Sequence, residues 1–306
     1  MCGGKVLSPN PNLRADQKEI DGKKKYVLST LEAARVLPVA GLKYEFVDVT
    51  DDNVGEVGLF CQKSKYKEKG YQGKLSWFKE QYKKGLHTKL VGFQNDKKRF
   101  VLIGFIEYAP GEHAWRGIDA KGWMVIHCLW IIGKHKGQGL GSKLLEECAK
   151  DAKNNGLNGI VAMASRMHWL ANEKLFLKNG FEKVDEMPPF GLYARKLKKN
   201  VTSPKFYPVS LEKLASYGKG LTILESHQCP YAYKTVTSIK RMAERARTPV
   251  RVEHIASCEE AQKNAVHPYG TFCVILDGKP ISYYPGDTKQ VRRALEEKLN
   301  NTILTR

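Results

Sequence analysis

No apolar stretch in the 306 residues approaches the ~20 needed to cross a bilayer, which excludes a helical membrane span. The opening MCGGKVLSPN lacks the apolar core of a secretory signal, so the cytoplasm is the expected compartment. Position 2 is Cys rather than the Gly that myristoylation needs, and a lipidated cysteine would need a preceding signal, so no membrane anchor is expected. Cysteine is sparse. Seven residues at positions 2, 61, 128, 148, 229, 258 and 273 form no CxxC pair and no zinc-ligand spacing. An odd, scattered set argues against a disulfide framework, and the expectation is reduced thiols and no metal.

Acidic residues are also scarce, 32 against 51 Lys and Arg, for a formal charge of +19. The excess is spread along the chain: +3 over residues 1–42, +9 over 43–198 and +7 over 199–306. Nucleic-acid binders concentrate charge on one tail or face, and neither an RNP-like nor a zinc-finger motif accompanies it here. The densest run, Lys63, Lys65, Lys67, Lys69 and Lys74 with Tyr66 and Tyr71, does not by itself call for a polynucleotide. A basic surface equally favours capture of an anionic cofactor.

Two familiar phosphate motifs are missing: there is no GxxxxGK[ST], and no GxGxxG followed by an acidic ribose-binding residue. What is present is VIHCLWIIGKHKGQGLGSKLL, residues 125–145. Val125 to Ile132 is a nearly unbroken apolar run suited to a strand buried on both faces. Gly137, Gly139 and Gly141 then recur every second residue, clearing side chains from the main chain and permitting φ values that other residues resist. Ser142, Leu144, Leu145, Cys148 and Ala149 continue at helical spacing, so the unpaired N–H groups and positive dipole end of a helix face the same point. An ordinary glycine-rich turn and a diphosphate cradle both fit GxGxG taken alone.

With its surroundings, the segment resembles the GNAT superfamily of acyl-CoA N-acyltransferases. KGQGLG (136–141) is similar to that family's [RQ]xxGx[GA] loop, with Lys136 in the Arg/Gln place. NGIVAMAS (158–165) looks like its next strand, and ANEKLFLKNGFEKVDE (171–186) like its last helix and returning strand. The resemblance spans roughly 42–197. It implies an α/β fold with a mixed sheet and acetyl-CoA as co-substrate, with direct attack by a primary amine of a small molecule or peptide in a ternary complex. It assigns the strand backbone at Cys128, Leu129 and Ile131 to pantetheine, Lys136, Gly137, Gln138, Gly139, Leu140, Gly141 and Ser142 to pyrophosphate, and Asn172 to the cofactor near its sulfur. Where the family carries a tyrosine that protonates the leaving thiolate, this chain has Phe176. His127, Cys128 and Tyr193 are replacements, each with a structural alternative. Glu107 is the first candidate for general base, followed by Glu112 and His113. Trp115 and Arg116 suit either recognition of a flat or carboxylated substrate or plain packing.

The expected organisation is an extension over 1–42 with one short helix at 28–37, an acyltransferase domain over 43–198, a linker over 199–216 and a second domain over 217–306. In the last, LTILES, a helix opened by CPYA, VRVEHI, a hairpin turned at Asp277 and Gly278, and a closing helix give the order βαβ then ββα. That order resembles the thioredoxin and glutaredoxin fold, as in the YoaP-like C-terminal domain. Glutaredoxins carry CPYC where this chain has CPYA, which leaves Cys229 as a possible thiol site without a resolving partner at Ala232. A second reading stays open at this point: a degenerate acyl-CoA-binding sensor or binding module coupled to a thiol-bearing domain. The oligomeric state is not legible.

Overall fold

The computed structural model describes residues 6–7, 15–20, 23–28, 37–39, 42–96, 100–166, 169–263 and 266–304. The chain is mixed α/β and gathers into two compact units interleaved in sequence. The first takes residues 1–66, 78–112 and 120–203, the second 67–77, 113–119 and 204–306. Helix α2 (Lys69–Tyr82) contributes residues to both. The short helix expected over 28–37 falls mostly outside the described residues, and Leu28 and Leu37 themselves lie in strands.

The first unit is organised by one sheet. Its strands are β1 (Val6–Leu7), β4 (Leu37–Val39), β5 (Leu42–Val49), β6 (His87–Gln94), β7 (Phe100–Pro110), β9 (Met124–Ile131), β10 (Gly159–Ser165), β11 (Glu182–Met187) and β12 (Phe190–Lys196). A separate hairpin is formed by β2 (Ala15–Ile20) and β3 (Lys23–Leu28). Strand order is β11-β12-β10-β9-β7-β6-β5-β4, with β1 paired to β7. Within that order β9 and β10 run parallel, whereas every other pairing is antiparallel. The centre of the sheet, β7 and β9, is buried almost throughout, which is why those strands read as apolar runs rather than alternating ones.

Helices α1 (Val54–Val57), α3 (Leu140–Asn154) and α4 (Glu173–Lys178) complete the unit. On α3, Leu140, Leu144, Leu145, Cys148, Ala149 and Ala152 are buried. They recur at three- and four-residue spacing, and this stripe joins Ile106, Tyr108, Ile126, Leu129 and Ile131 in the core. Helix α2 stops at Tyr82. There Gly85 takes φ 87° and the N–H groups of Gly85 and Leu86 bond the carbonyls of Tyr82 and Gln81, a C-terminal cap that turns the chain into β6.

In the second unit β14 (Leu221–Glu225), β15 (Val250–His254), β16 (Phe272–Leu276) and β17 (Lys279–Ser282) form a sheet in the order β15-β14-β16-β17. The β14–β15 pair is parallel and the other two are antiparallel. Helices α5 (Leu211–Ser216), α6 (Ala232–Arg245), α7 (Cys258–Gln262) and α8 (Thr288–Leu304) accompany it. The short strands β8 (Ile118–Asp119) and β13 (Lys205–Phe206) pair with each other. The 199–216 stretch therefore holds a strand and a helix.

Arg116 and Trp115 belong to this unit, and recognition of a substrate is not their part. Arg116 is 1% exposed, donates to the carbonyl of Trp115 at 2.8 Å and to Thr271 Oγ1 at 3.2 Å, and lies 4.5 Å from the Tyr269 ring. Trp115 packs edge-on against Trp77. The lysine-rich run is no continuous basic patch either. Lys74 is buried 4.0 Å over Trp77, Tyr71 is buried, and Lys63 donates to the Val57 carbonyl while burial lowers its pKa to about 7.

Candidate active site

The parallel ladder between β9 and β10 runs only from Met124–Ile160 to Ile126–Ala162, although β9 continues to Ile131 and β10 to Ser165. From His127 onward the two strands are no longer paired, and among the described residues no strand pairs with the β10-side edge of β9. On its other edge β9 stays paired to β7, through Glu107–Cys128, Ile106–Leu129 and Gly104–Ile131. The register slips between Glu107 and Tyr108, so His127 is the extra residue of a bulge. A bulge at the fork re-aims the side chains beside it. His127, Cys128 and Leu129 line a small cleft there with Ile126, Met163 and Phe176.

Glu107 and His127 are brought together. Both are buried, 2% and 1% exposed, and Glu107 Oε1 lies 3.5 Å from His127 Nδ1. His127 lines the cleft, and Glu107 stands behind it. Cys128 is half-buried and also borders the cleft. Tyr193 is committed elsewhere: its hydroxyl donates to Glu173 Oε2 at 2.5 Å, and burial together with that carboxylate pushes its pKa up to about 12. Phe176 is 1% exposed and stacks on Tyr193, so a ring without a donor fills the position beside His127 and Cys128. Glu112 accepts from the Gly122 N–H at 3.0 Å, bracing a turn.

The glycine-rich turn leaves β9 through a single 3-10 turn (Gly133–His135) and enters α3 at Leu140. Gly137 and Gly139 take φ 80° and 76°, the left-handed region, and a Cβ on either would meet nothing within 4 Å. Conformation rather than crowding selects glycine there. Gly139 caps α3 and has no side chain to bond the first N–H groups of the helix. The loop is braced from below: Tyr44 donates to Gln138 Oε1 at 2.6 Å and lies 3.3 Å from His135 Nδ1, and Gln138 Nε2 donates to the Lys134 carbonyl at 3.1 Å. Burial lowers the pKa of His135. Two of the residues expected at the cofactor also make contacts within the chain. The Gln138 side chain holds the turn, and the Lys136 ammonium sits 4.5 Å over the Trp130 ring. Asn172, expected near the cofactor, accepts from the Lys174 N–H at 2.9 Å as the cap of α4.

Residues 58–181 match the model of the acetyltransferase (GNAT) family. The chain is 31% identical over 262 residues to the uncharacterized N-acetyltransferase YoaP of Bacillus subtilis, spanning 84% of this chain and 99% of that one. The chain belongs to the GNAT acetyltransferase family. It is also 27% identical over 119 residues to an L-methionine sulfoximine/L-methionine sulfone acetyltransferase of Salmonella typhimurium, covering 39% of this chain and 64% of that one. The structure of YncA from Salmonella typhimurium with its cofactor acetyl-CoA aligns with 43% of this acetyltransferase and 76% of its own chain, at 19% identity and a TM-score of 0.35.

Sequence reasoning missed Thr88. It stands opposite Glu107 in register, and among the described residues its buried Oγ1 has no hydrogen-bond partner. Thr88, Glu107 and Cys128 thus form one row across β6, β7 and β9. A lone threonine in a strand carries no linear signal of this. Cys229, the possible thiol site, is half-buried in the turn before α6, which starts three residues later at Ala232 rather than at the cysteine.

Proposed function

We propose that this acetyltransferase transfers an acetyl group from acetyl-CoA to a primary amine of a small molecule or peptide by direct attack within a ternary complex. The observation that carries the reading is the fork of β9 and β10 opening toward the glycine-capped start of α3. The open β9 edge at Cys128, Leu129 and Ile131 suits pantetheine bound as an added strand. The N–H groups from Gly137 to Ser142 suit the pyrophosphate, with Lys136 adding positive charge. The residues present therefore fit the group. When bound, acetyl-CoA supplies the thioester carbonyl that the amine attacks.

The chain's own groups manage two protons. His127, with Nδ1 toward Glu107, has Nε2 as the basic nitrogen that takes a proton from the incoming ammonium, and Glu107 steadies the imidazolium. Cys128, on the cleft wall where Phe176 has no donor, gives its S–H proton to the departing sulfur and recovers one from solvent. The second unit is read as thioredoxin-like, supported by its β15-β14-β16-β17 order with one parallel pair. With Ala232 in place of a second thiol, Cys229 is assigned no dithiol chemistry.

The test is CoA release over a panel of amines, with the sensor reading favoured if acetyl-CoA binds and no amine is acetylated. In an active system Cys128→Ala is expected to lower kcat roughly 10²-fold, the low end of what a positioned proton donor contributes. Adding Phe176→Tyr should restore much of that loss. An unchanged kcat in Cys128→Ala would assign the proton to water. Gly139→Val forces a β-branched residue into left-handed φ, a cost of roughly 1–2 kcal/mol or more. The dissociation constant for CoA, measured by calorimetry, is expected to rise about tenfold. Unchanged affinity would remove the turn from the cofactor site.

A further inference from the structure

The second unit places three metal-ligating side chains together at the carboxyl ends of parallel strands, and the acetyl transfer proposed above uses none of them. Glu225 ends β14 and His254 ends β15, and the two are direct partners in the parallel register. His227 follows two residues beyond Glu225. The ligand atoms of Glu225, His227 and His254 all lie within 4.8 Å of one another. His254 Nδ1 is 2.7 Å from Glu225 Oε1, and the two imidazole rings are 4.5 Å apart between centroids.

A surface ion pair accounts for Glu225 and His254 but not for the second imidazole. His227 is held in place by a close backbone approach in the same unit. A Cβ on Gly73 would lie 2.9 Å from His227 Cδ2, and one on Gly70 would lie 2.3 Å from the Pro230 carbonyl oxygen. The GxxG face of α2 thus lets the helix press directly on the loop 227–230 and set the ring beside His254. Glu225 is half-buried and both histidines are exposed, so a ligand held by the three keeps a solvent-facing position. Crevices at the carboxyl ends of parallel strands are the ordinary location of ligand sites in such sheets.

We propose that Glu225, His227 and His254 form a binding site for a divalent transition-metal ion, Zn2+ foremost, with an open coordination position. Two imidazoles and one carboxylate are the donor set of open zinc sites, and nitrogen ligands select against Mg2+ and Ca2+. No CxxC or HxxxH spacing announces this site, because the ligands come from two strands and a loop.

The test uses the full chain after stripping with chelator, dialysed against Zn2+ alone, with bound metal counted per chain. One equivalent is expected. His227→Ala and His254→Ala should each weaken binding by at least roughly 100-fold, since the loss of outer partners alone costs about 10–100-fold. Glu225→Gln, which preserves shape, should weaken it as well, and thermal melts by circular dichroism separate loss of a ligand from loss of fold. Cys229→Ser should bind normally, and the Co2+-substituted protein should show ligand-field bands without a thiolate charge-transfer band. A wild-type chain that dialyses empty, or a His227→Ala/His254→Ala double variant that keeps its zinc, would overturn the proposal. So would loss of zinc in Cys229→Ser alone.

Discussion

Replacing His127 with alanine is expected to lower kcat/KM for the amine by roughly 10²–10⁴-fold, the range a positioned general base contributes. The Kd for acetyl-CoA should stay within a few-fold, because the groups assigned to the cofactor are main-chain N–H and C=O groups that the substitution leaves in place. The prediction follows from position. His127 is the bulged residue at the fork of β9 and β10 and lines the cleft, whereas Glu107 stands behind it at 3.5 Å. Glu107→Gln keeps the size of the partner and removes its charge, so it should give the smaller loss, expressed in kcat rather than in KM for acetyl-CoA. If His127→Ala retains near wild-type kcat/KM while Glu107→Gln does not, the carboxylate is the base and the imidazole only packs. Steady-state kinetics on the two variants side by side distinguishes the two.

The glycine turn and the helix it opens could be read from the chain because their conformation is local. Glycines at 137 and 139 are demanded by left-handed φ, and a helix start without a capping side chain is visible as GLGS. Phe176 was legible for the same reason, one ring in place of another. The fork was not. It depends on where the β9–β10 ladder stops, and nothing in VIHCLWII marks Ile126 as the last paired residue. The bulge that makes His127 the cleft residue and Glu107 its support is likewise a matter of register between strands distant in sequence. The second unit shows the same division. Its order of strands and helices, including the Asp277–Gly278 turn with φ 51° and 76°, follows from local pattern. The recruitment of 67–77 and 113–119 into it does not, because in the sequence Arg116 and Trp115 suit recognition and packing equally until Tyr269 and Thr271 are found around the guanidinium.

The helix that begins at the glycine turn is pinned near its other end by a buried charge cluster, and breaking it is expected to have the largest effect on stability. Asp151 of α3 accepts from the fully buried Tyr108 hydroxyl at 2.5 Å and lies 3.3 Å from Lys89 Nζ, which also pairs with Asp48 at 2.6 Å. Asp151→Ala strands the Tyr108 hydroxyl, a cost of roughly 1–3 kcal/mol. It also removes one anion from a lysine whose side chain is 8% exposed, leaving Asp48 as its close partner. The sum is about 3 kcal/mol, or a fall of about 10 °C in melting temperature for a domain of this size. Both Lys89 and Tyr108 have raised pKa values: burial pulls the lysine down but Asp48 and Asp151 together outweigh it, and burial, with Asp151 adding to it, pushes the tyrosine up. A raised pKa means that the stabilisation is complete below the unfolded values, about 10 for each group. It drains as pH rises beyond them, because the unfolded chain then releases protons that the folded one retains. The wild type should therefore melt progressively lower above about pH 10, and Asp151→Ala should show a shallower decline, having already lost the carboxylate that favours both protonated groups. Melting curves collected across that range would contradict the assignment if the two proteins declined in parallel. Because α3 carries at its start the glycine turn proposed to hold the pyrophosphate, the same variant should also raise the KM for acetyl-CoA although no part of Asp151 lies in that turn.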